Sequence, residues 1–288
     1  MTIRVVYSDL DGTMVGPAGC FFRREDGALS LEPARALVDL LAAGLALVLV
    51  SGRTRPQLVE AAHVFGADGY VAELGAAVGW NTGGEGWRHE LLAGALPTAY
   101  AGQLPALVAE ESGIVAELCA RYTGRLEHHE PWHVGHEADV MLRGLVDVAD
   151  AEAWLAGSGF GWLRLRDNGV LPPGRPTGLA AAAAPVHVYH LMPAGLSKGL
   201  AVAHDLARRG LAPDHAIAIG DSVSDLDMAP CVDRLWLTAN GARQPHLAAH
   251  LAGQYNVRIA TEAVGLGWVQ AIRDALGRPD PIPLSPVA

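Results

Sequence analysis

The chain is short of cysteine, of basic residues and of long apolar runs, and each shortage excludes a class of protein. Its three cysteines, Cys20, Cys119 and Cys231, lie far apart and form no CxxC pair. Neither a zinc knuckle nor a disulfide framework is indicated, and buried free thiols are expected. Lys and Arg number 21 against 31 Asp and Glu, a formal net charge of -10. That balance argues against a broad electrostatic grip on nucleic acid or anionic lipid, but not against a small anion held locally by a metal and a few cations. The continuous apolar stretch Leu45 to Val50 is far too short to span a bilayer. The N-terminus runs directly into a strand, with no basic segment and long apolar core before it, so no signal peptide is expected. A cytoplasmic protein without nucleic acid or membrane partners is the default.

What is present is enough material for a core. Half of the 288 residues are apolar, and the length suits one large domain or two of ordinary size. Ile3 to Ser8 is a short, β-branched apolar run that reads as a buried strand. A helix is expected from about Ser30 to Gly44, with Leu37, Leu40 and Leu41 on one face. Leu45 to Val50 reads as a strand covered on both faces, as in a parallel sheet. Pro56 opens a second helix that ends near Gly66, and Tyr70 to Ala72 is a third strand. Alternating strands and helices predict an α/β fold with a Rossmann-like parallel-sheet core.

The rhythm breaks at the glycine-rich turn Asn81 to Gly86, which is taken as a domain boundary. Beyond it lie a helix over Pro97 to Glu111 and a polar segment with His128, His129, His133 and His136. Strands follow at Ala138 to Leu142, Trp162 to Arg166 and Val186 to Leu191. A short helix falls between Asp150 and Leu155, and Asp167-Asn168-Gly169 reads as a hairpin turn. Pro172 to Pro185 is an irregular link. This insert, residues 84–192, has the composition of a small α+β layer. The first rhythm returns with a helix from Leu196 to Arg209, strands at Ala216 to Ile219, Leu235 to Leu237 and Val257 to Ala260, and a last helix to Leu276. The tail from Pro279 reads as extended. The core is thus expected to be discontinuous, 1–83 and 193–288.

The chemistry gathers at strand ends. Asp9 and Asp11 follow the first strand, Ser51 and Gly52 the second, and Gly220-Asp221-Ser222-Val223-Ser224-Asp225 a later one, while Lys198 opens a helix. Ligands of doubly wound sheets sit beyond the carboxyl ends of the strands. Two neighbouring carboxylates are costly to desolvate unless a cation or a proton lies between them. A lysine in a helix's first turn is disfavoured unless an anion is near. The plainer readings are turn aspartates around Gly12, a helix N-cap at Ser51 and a solvated Lys198.

These motifs, in this order, resemble the haloacid dehalogenase superfamily, and within it the Cof-like and sugar-phosphate phosphatases that carry a large α/β cap. The match covers about residues 1–80 and 193–265; the insert matches a cap by position and size only. The resemblance implies a Mg2+-dependent phosphatase acting on a small phosphorylated metabolite, such as a sugar phosphate or a phosphoglycerate-like ester. Asp9 is then the nucleophile and Asp11 the acid and base. The metal is held by the Asp9 carboxylate, the Asp11 carbonyl and Asp221. Ser51, the Gly52 amide, Lys198 and Asn240 bind the phosphoryl group, and Asp225 orients Lys198 or a metal-bound water. Arg53 and Thr54 are read mainly as loop supports, and Asp227 as structural or solvated.

Two positions depart from the family pattern. Ser224 stands where an asparagine is common, and Leu74 replaces the asparagine of a frequent Glu-Asn-Gly-Ala, which bears on the substrate pocket more than on the chemistry. In the insert, Arg143, Arg164, Arg166, Glu137 and the four histidines are candidates for substrate contact. The histidines also admit a transition metal or simply a polar loop. Competing functions are a sugar phosphomutase on the same scaffold and a non-catalytic ligand-binding protein of the same fold. A monomer or homodimer is expected.

Overall fold

The first strand is apolar on both faces because it is buried on both faces. In the computed structural model, which describes residues 2–171 and 177–278, Val5–Asp9 (β1) is buried at every position. Glu32–Ala42 (α1), Ala46–Val50 (β2), Arg55–Phe65 (α2), Gly69–Ala72 (β3), Ala77–Asn81 (β4) and Trp87–Leu91 (β5) follow. Next come Pro105–Glu111 (α3), Ile114–Arg121 (α4), Leu126–His128 (β6), Val140–Gly144 (β7), Val148–Gly157 (α5), Leu163–Val170 (β8) and His187–Pro193 (β9). After them lie Lys198–Arg209 (α6), Ala216–Gly220 (β10), Val223–Leu226 (α7), Arg234–Leu237 (β11), Ala239–Ala242 (α8), Pro245–Leu251 (α9), Val257–Ile259 (β12) and Val264–Ala275 (α10). The chain forms two units: residues up to Glu90 together with those from Ser197 on, and Leu91–Leu196.

The first unit is built on one sheet of order β12-β11-β10-β1-β2-β3-β4-β5. Every pairing from β12 to β3 is parallel, so the expected α/β parallel core is present. Because β1 lies between β2 and β10, the chain winds one way from β1 and later the other. The crevice this leaves at the strands' carboxyl ends is where a doubly wound sheet takes its ligand. Helix α1 buries Pro33, Ala36, Leu37 and Leu40, an i, i+3, i+4, i+7 stripe. The expectation that Leu41 shares it is corrected: Leu41 is exposed, one step beyond the stripe. Helix α2 starts on a capping box between Thr54 and Gln57 and ends at Gly66 in the left-handed conformation, as a helix stop should.

The glycine-rich turn at residues 81–86 is not where the sheet ends. Glu73–Gly75 turns the chain back, so that β4 runs antiparallel to β3, and β5 extends the same sheet at its edge. The turn joins these two strands. The structure changes unit after Glu90 and returns at Ser197.

The second unit has a four-stranded antiparallel sheet of order β6-β7-β9-β8, the expected α+β layer. One face is apolar: Leu126, Leu142, Leu163, Leu165, Tyr189 and Leu191 cluster with Val108, Val115, Leu118 and Leu155 from α3, α4 and α5. Alternation along the strands then sends Glu127, Met141, Arg143 and His190 to the other face. Three expectations are corrected here. The first helix begins only at Pro105, its residue before the proline being held extended. A further helix, α4, follows Gly113, whose left-handed φ of 81° separates it from α3. Asp167-Asn168-Gly169 is an irregularity inside β8 rather than a hairpin turn, because Val170 still pairs with His187. Of the irregular link, residues 172–176 lie outside the described residues, as does the tail from Pro279.

Candidate active site

The site of the first unit begins with a buried ion triplet. Asp9 ends β1 and is 6% exposed. Lys198, the first residue of α6 and 2% exposed, donates from Nζ to Asp9 Oδ1 at 2.9 Å and to Asp225 Oδ1 at 2.6 Å. The first-turn lysine thus has the anions its position requires. Burial alone works against the ammonium, but Asp225 and Asp9 outweigh it and raise its pKa above the ordinary lysine value.

Asp225 is occupied on both oxygens. Its Oδ2 accepts the Asp221 N–H at 3.0 Å, the Ser222 N–H at 2.9 Å and the Ser222 hydroxyl at 2.7 Å, closing a capping box at the start of α7. This loop is tight enough that a Cβ on Gly220 would lie 2.3 Å from the Asp225 Cβ. Asp225 therefore positions Lys198 and the β10–α7 turn, with Oδ2 filled by the turn and Oδ1 turned to the lysine.

Asp221 is braced from two sides. Its Oδ1 accepts the Thr13 hydroxyl at 3.3 Å and its Oδ2 the Asn240 side-chain amide at 3.0 Å. Asn240 also donates to the Gly12 carbonyl at 2.8 Å and accepts the Val264 N–H at 2.8 Å. Its two amide hydrogens are thus both engaged by this chain. Asn240 thus ties the β1 turn to Asp221. The close packing depends on Gly12, whose φ is +85° and whose Cβ would fall 2.2 Å from Asp221 Oδ2.

Asp11 differs from Asp9 in its surroundings. The strand stops at Asp9, so strand alternation no longer governs the next residues, and Asp11 lies in a turn with its side chain 55% exposed. Arg53 holds it bidentately, Nε to Oδ2 at 2.7 Å and Nη2 to Oδ1 at 2.6 Å. Arg53 was read as a loop support; its guanidinium instead reaches back to the first motif, a contact across 42 residues that spacing does not show. Ser51 is buried and its Oγ accepts the Arg53 N–H at 3.2 Å, which leaves the hydroxyl hydrogen as a donor. The Gly52 N–H has no acceptor among the described residues. At the end of β3, Leu74 is 2% exposed in the left-handed region, with φ 53°. An asparagine would take that conformation more readily.

These groups fit a hard dication. Asp9, Asp221 and Asp225 bring carboxylate oxygens within 4.8 Å of one another, and Lys198 is the cation their mutual contacts include. Burial, with the charges of Asp225 and Asp11, pushes the Asp9 carboxyl up to about 7 despite Lys198. Burial and the charges of Asp9 and Asp225 raise Asp221 well above the ordinary carboxylate range. The site therefore carries more negative charge than it balances. The oxygens that could hold a hard dication are those of Asp9, Asp221 and Asp225, together with backbone carbonyls of the β1 turn.

In the second unit the histidine segment divides. His128 faces Glu110 at 2.9 Å and lies beside the His133 ring, tilted by 50° with 5.0 Å between centroids. His136 leaves this group: its Nδ1 and the Nδ1 of His190 both contact Asp139, a carboxylate with 0% side-chain exposure. Burial would raise Asp139, but the two imidazoles outweigh it and hold it well below the ordinary range. Neither Asp139 nor His190 stood out in the sequence. Arg143 is buried against Glu127 at 2.6 Å and the Glu130 carbonyl at 3.1 Å. Arg164 donates to the Gly161 and Leu163 carbonyls. Both are committed to their own unit.

No family model and no curated relative matches the chain in sequence. Solved structures do match in fold. Sucrose-phosphatase from Synechocystis sp. PCC6803, solved with sucrose and phosphate, aligns with a TM-score of 0.62 at 16% identity, over 96% of this chain and 98% of that one. A haloacid dehalogenase-like hydrolase from Bacteroides thetaiotaomicron aligns with a TM-score of 0.59 at 15% identity, over 95% and 99%. The chain has the haloacid dehalogenase-like fold. A phosphatase of the same superfamily from Bacteroides thetaiotaomicron aligns at 0.60 and 16% identity, over 96% of each chain. The haloacid dehalogenase-like fold accounts for both units, since these alignments run across nearly the whole chain. Among the described residues, no helix is long and apolar enough to cross a membrane.

Proposed function

We propose that the chain is a Mg2+-dependent phosphatase that hydrolyses a small phosphate monoester through an aspartyl-phosphate on Asp9. The observation that carries this is the pairing of a buried Asp9, held by Lys198, with an Asp11 that is exposed and held by Arg53. Two carboxyls one residue apart are thereby set to different tasks. That solved structures sharing the fold include phosphatases supports the same reading.

Lys198 fixes one Asp9 oxygen and leaves the other to attack phosphorus. As that P–O bond forms, the bond from phosphorus to the leaving oxygen breaks, and Asp11 supplies its proton to that oxygen. Asp11 then takes a proton from water, the water oxygen bonds to phosphorus, and the bond to Asp9 breaks to release phosphate. Arg53, a third exposed, can turn from Asp11 toward the phosphoryl group, which frees Asp11 for these transfers. The Ser51 hydroxyl, the Gly52 N–H and the Lys198 ammonium donate to the phosphoryl oxygens. Asp9, Asp221 and the Asp11 carbonyl would hold Mg2+, which would supply the positive charge that lets a carboxylate approach a phosphate dianion. The second unit is read as the cap that selects a sugar phosphate or phosphoglycerate-like ester, and the protein as a cytoplasmic monomer or homodimer.

The test is phosphate release from a panel of phosphate esters, with Mg2+ and with EDTA, by the wild type and Asp9→Asn. Release that needs both Mg2+ and Asp9 supports the proposal. Transfer of phosphate within a sugar without net release would make the protein a phosphomutase, and binding without turnover a non-catalytic relative.

A further inference from the structure

We infer that the second unit carries a metal site of its own, in which His136 Nδ1, His190 Nδ1 and a carboxylate oxygen of Asp139 hold one transition-metal dication of the Zn2+ class. The site is independent of the phosphatase reading and lies wholly within Leu91–Leu196.

The backbone places the three side chains together. Met141 of β7 is paired with His190 of β9, and paired residues point to the same face. Asp139 is two residues before Met141, so it shares that face and stands diagonally across from His190. His136, three residues earlier, is brought back by the turn that enters β7. The three donor atoms lie within 4.8 Å of one another, and the two rings are tilted by 60° with centroids 6.1 Å apart. Side-chain exposure is 2% for His136 and 0% for Asp139 and His190. Two imidazole nitrogens converge on one carboxylate in a dry setting, which is the disposition of a ligand set.

The donor chemistry selects the ion. Two imidazoles and one carboxylate suit Zn2+ and its neighbours, whereas Mg2+ and Ca2+ favour all-oxygen shells. The second unit's site thus differs in kind from the all-oxygen site of the first. The far nitrogen of a ligating ring needs a partner that fixes which nitrogen faces the metal. The Asn168 side-chain amide lies 3.3 Å from His190 Nε2 through its nitrogen, at the irregularity in β8; ligation through Nδ1 leaves a proton on Nε2, so the amide has to turn its oxygen to the ring when the ion binds. That irregularity thereby has a use, since it carries Asn168 to the back of the ring. The bound ion would fasten the segment entering β7 to β9.

The test uses the full chain carrying Asp9→Asn and Asp221→Asn, which removes two carboxylates of the acidic group in the first unit. The protein is stripped with EDTA and titrated with Zn2+ in competition with a chromophoric chelator. One Zn2+ per chain is expected, with dissociation in the micromolar range or tighter. Adding His136→Gln or His190→Gln should weaken binding by about 100-fold, and Asn168→Ala by about tenfold. His128→Gln with His133→Gln should leave it unchanged. X-ray absorption of the Zn2+-loaded chain, which needs no variant in the second unit, should show two imidazoles in the metal's shell. No stoichiometric binding, binding unaltered by His190→Gln in a folded protein, or an all-oxygen shell would each overturn the inference and leave the triad as a buried hydrogen-bonded cluster.

Discussion

The two units bury carboxylates under opposite electrostatic conditions. In the first, Asp9, Asp221 and Asp225 crowd around Lys198, and Asp9 and Asp221 are pushed toward protonation. In the second, Asp139 sits alone between two imidazoles and is held in its ionised form. Burial penalises the charged form in both places; what differs is whether the neighbours add negative charge or offset it. A site that keeps an unbalanced charge stores an affinity for a cation or a phosphoryl-transfer partner. A carboxylate whose neighbours are imidazoles stays ionised, and so serves both as a brace between β7 and β9 and as a ligand atom for a transition metal.

Asp9→Asn should produce the largest effect and should split activity from stability. Phosphate release is expected to fall by about 10⁴-fold, since the group that bonds to phosphorus is gone. The metal-free variant should nonetheless be more stable than wild type at pH 8, by on the order of 1–2 kcal/mol. The sign follows from linkage: a folded pKa near 7 above the unfolded value means that wild-type stability falls as pH rises from about 4 to about 7. Urea melts in EDTA at pH 5 and pH 8 read this directly, and a loss of stability at pH 8 contradicts the charge excess.

Asp139→Asn should move stability the other way. Removing a buried carboxylate between two imidazoles is expected to cost about 3 kcal/mol. The folded pKa is depressed, so the wild-type contribution is present above about pH 4 and lost as pH falls below it. In melts of the metal-free proteins the gap between variant and wild type should be full above about pH 4 and narrow steadily as pH is lowered below it, without closing by pH 3. A constant gap would show that packing, not charge, is what was lost.

Gly12→Ala sharpens the contrast at the turn itself. A Cβ 2.2 Å from Asp221 Oδ2, on a backbone at φ +85°, should cost about 1–3 kcal/mol and weaken Mg2+ binding. Calorimetric titration with Mg2+ should see the second effect, while the Zn2+ affinity of the second unit stays as it was. The smallest expected effect concerns Cys119. Burial, with Glu110 and Glu127, raises its thiol to about 11, so its alkylation at pH 8 should run roughly tenfold slower than that of free cysteine. All three cysteines are free, and peptide mapping after iodoacetamide treatment reads the rate.

Much of the first unit was legible because its signals are local. Strands buried on both faces are continuous apolar runs, as in β1, β2 and β10, and parallel sheets place chemistry at strand ends by rule. Asp9, Asp11, Ser51, Lys198 and Asp221 could therefore be named from order alone. The roles of Arg53, Thr13 and Asn240 could not, since each depends on a side chain reaching another strand's turn. Alternation misplaced nothing in β1 itself but did not apply past Asp9, where the chain leaves the sheet.

In the second unit the sequence marked the histidine-rich segment and the α+β character, because composition and alternation carry those. It did not mark Asp139 or His190, because an antiparallel register between strands some fifty residues apart is set by packing of whole faces and leaves no local trace. The kind of fold, the candidate carboxylates at the strand ends and the shortage of positive charge were determined by the sequence. Which carboxylates are crowded and which are neutralised was decided only in the folded chain, since a charge's energy depends on the distance and burial of its neighbours.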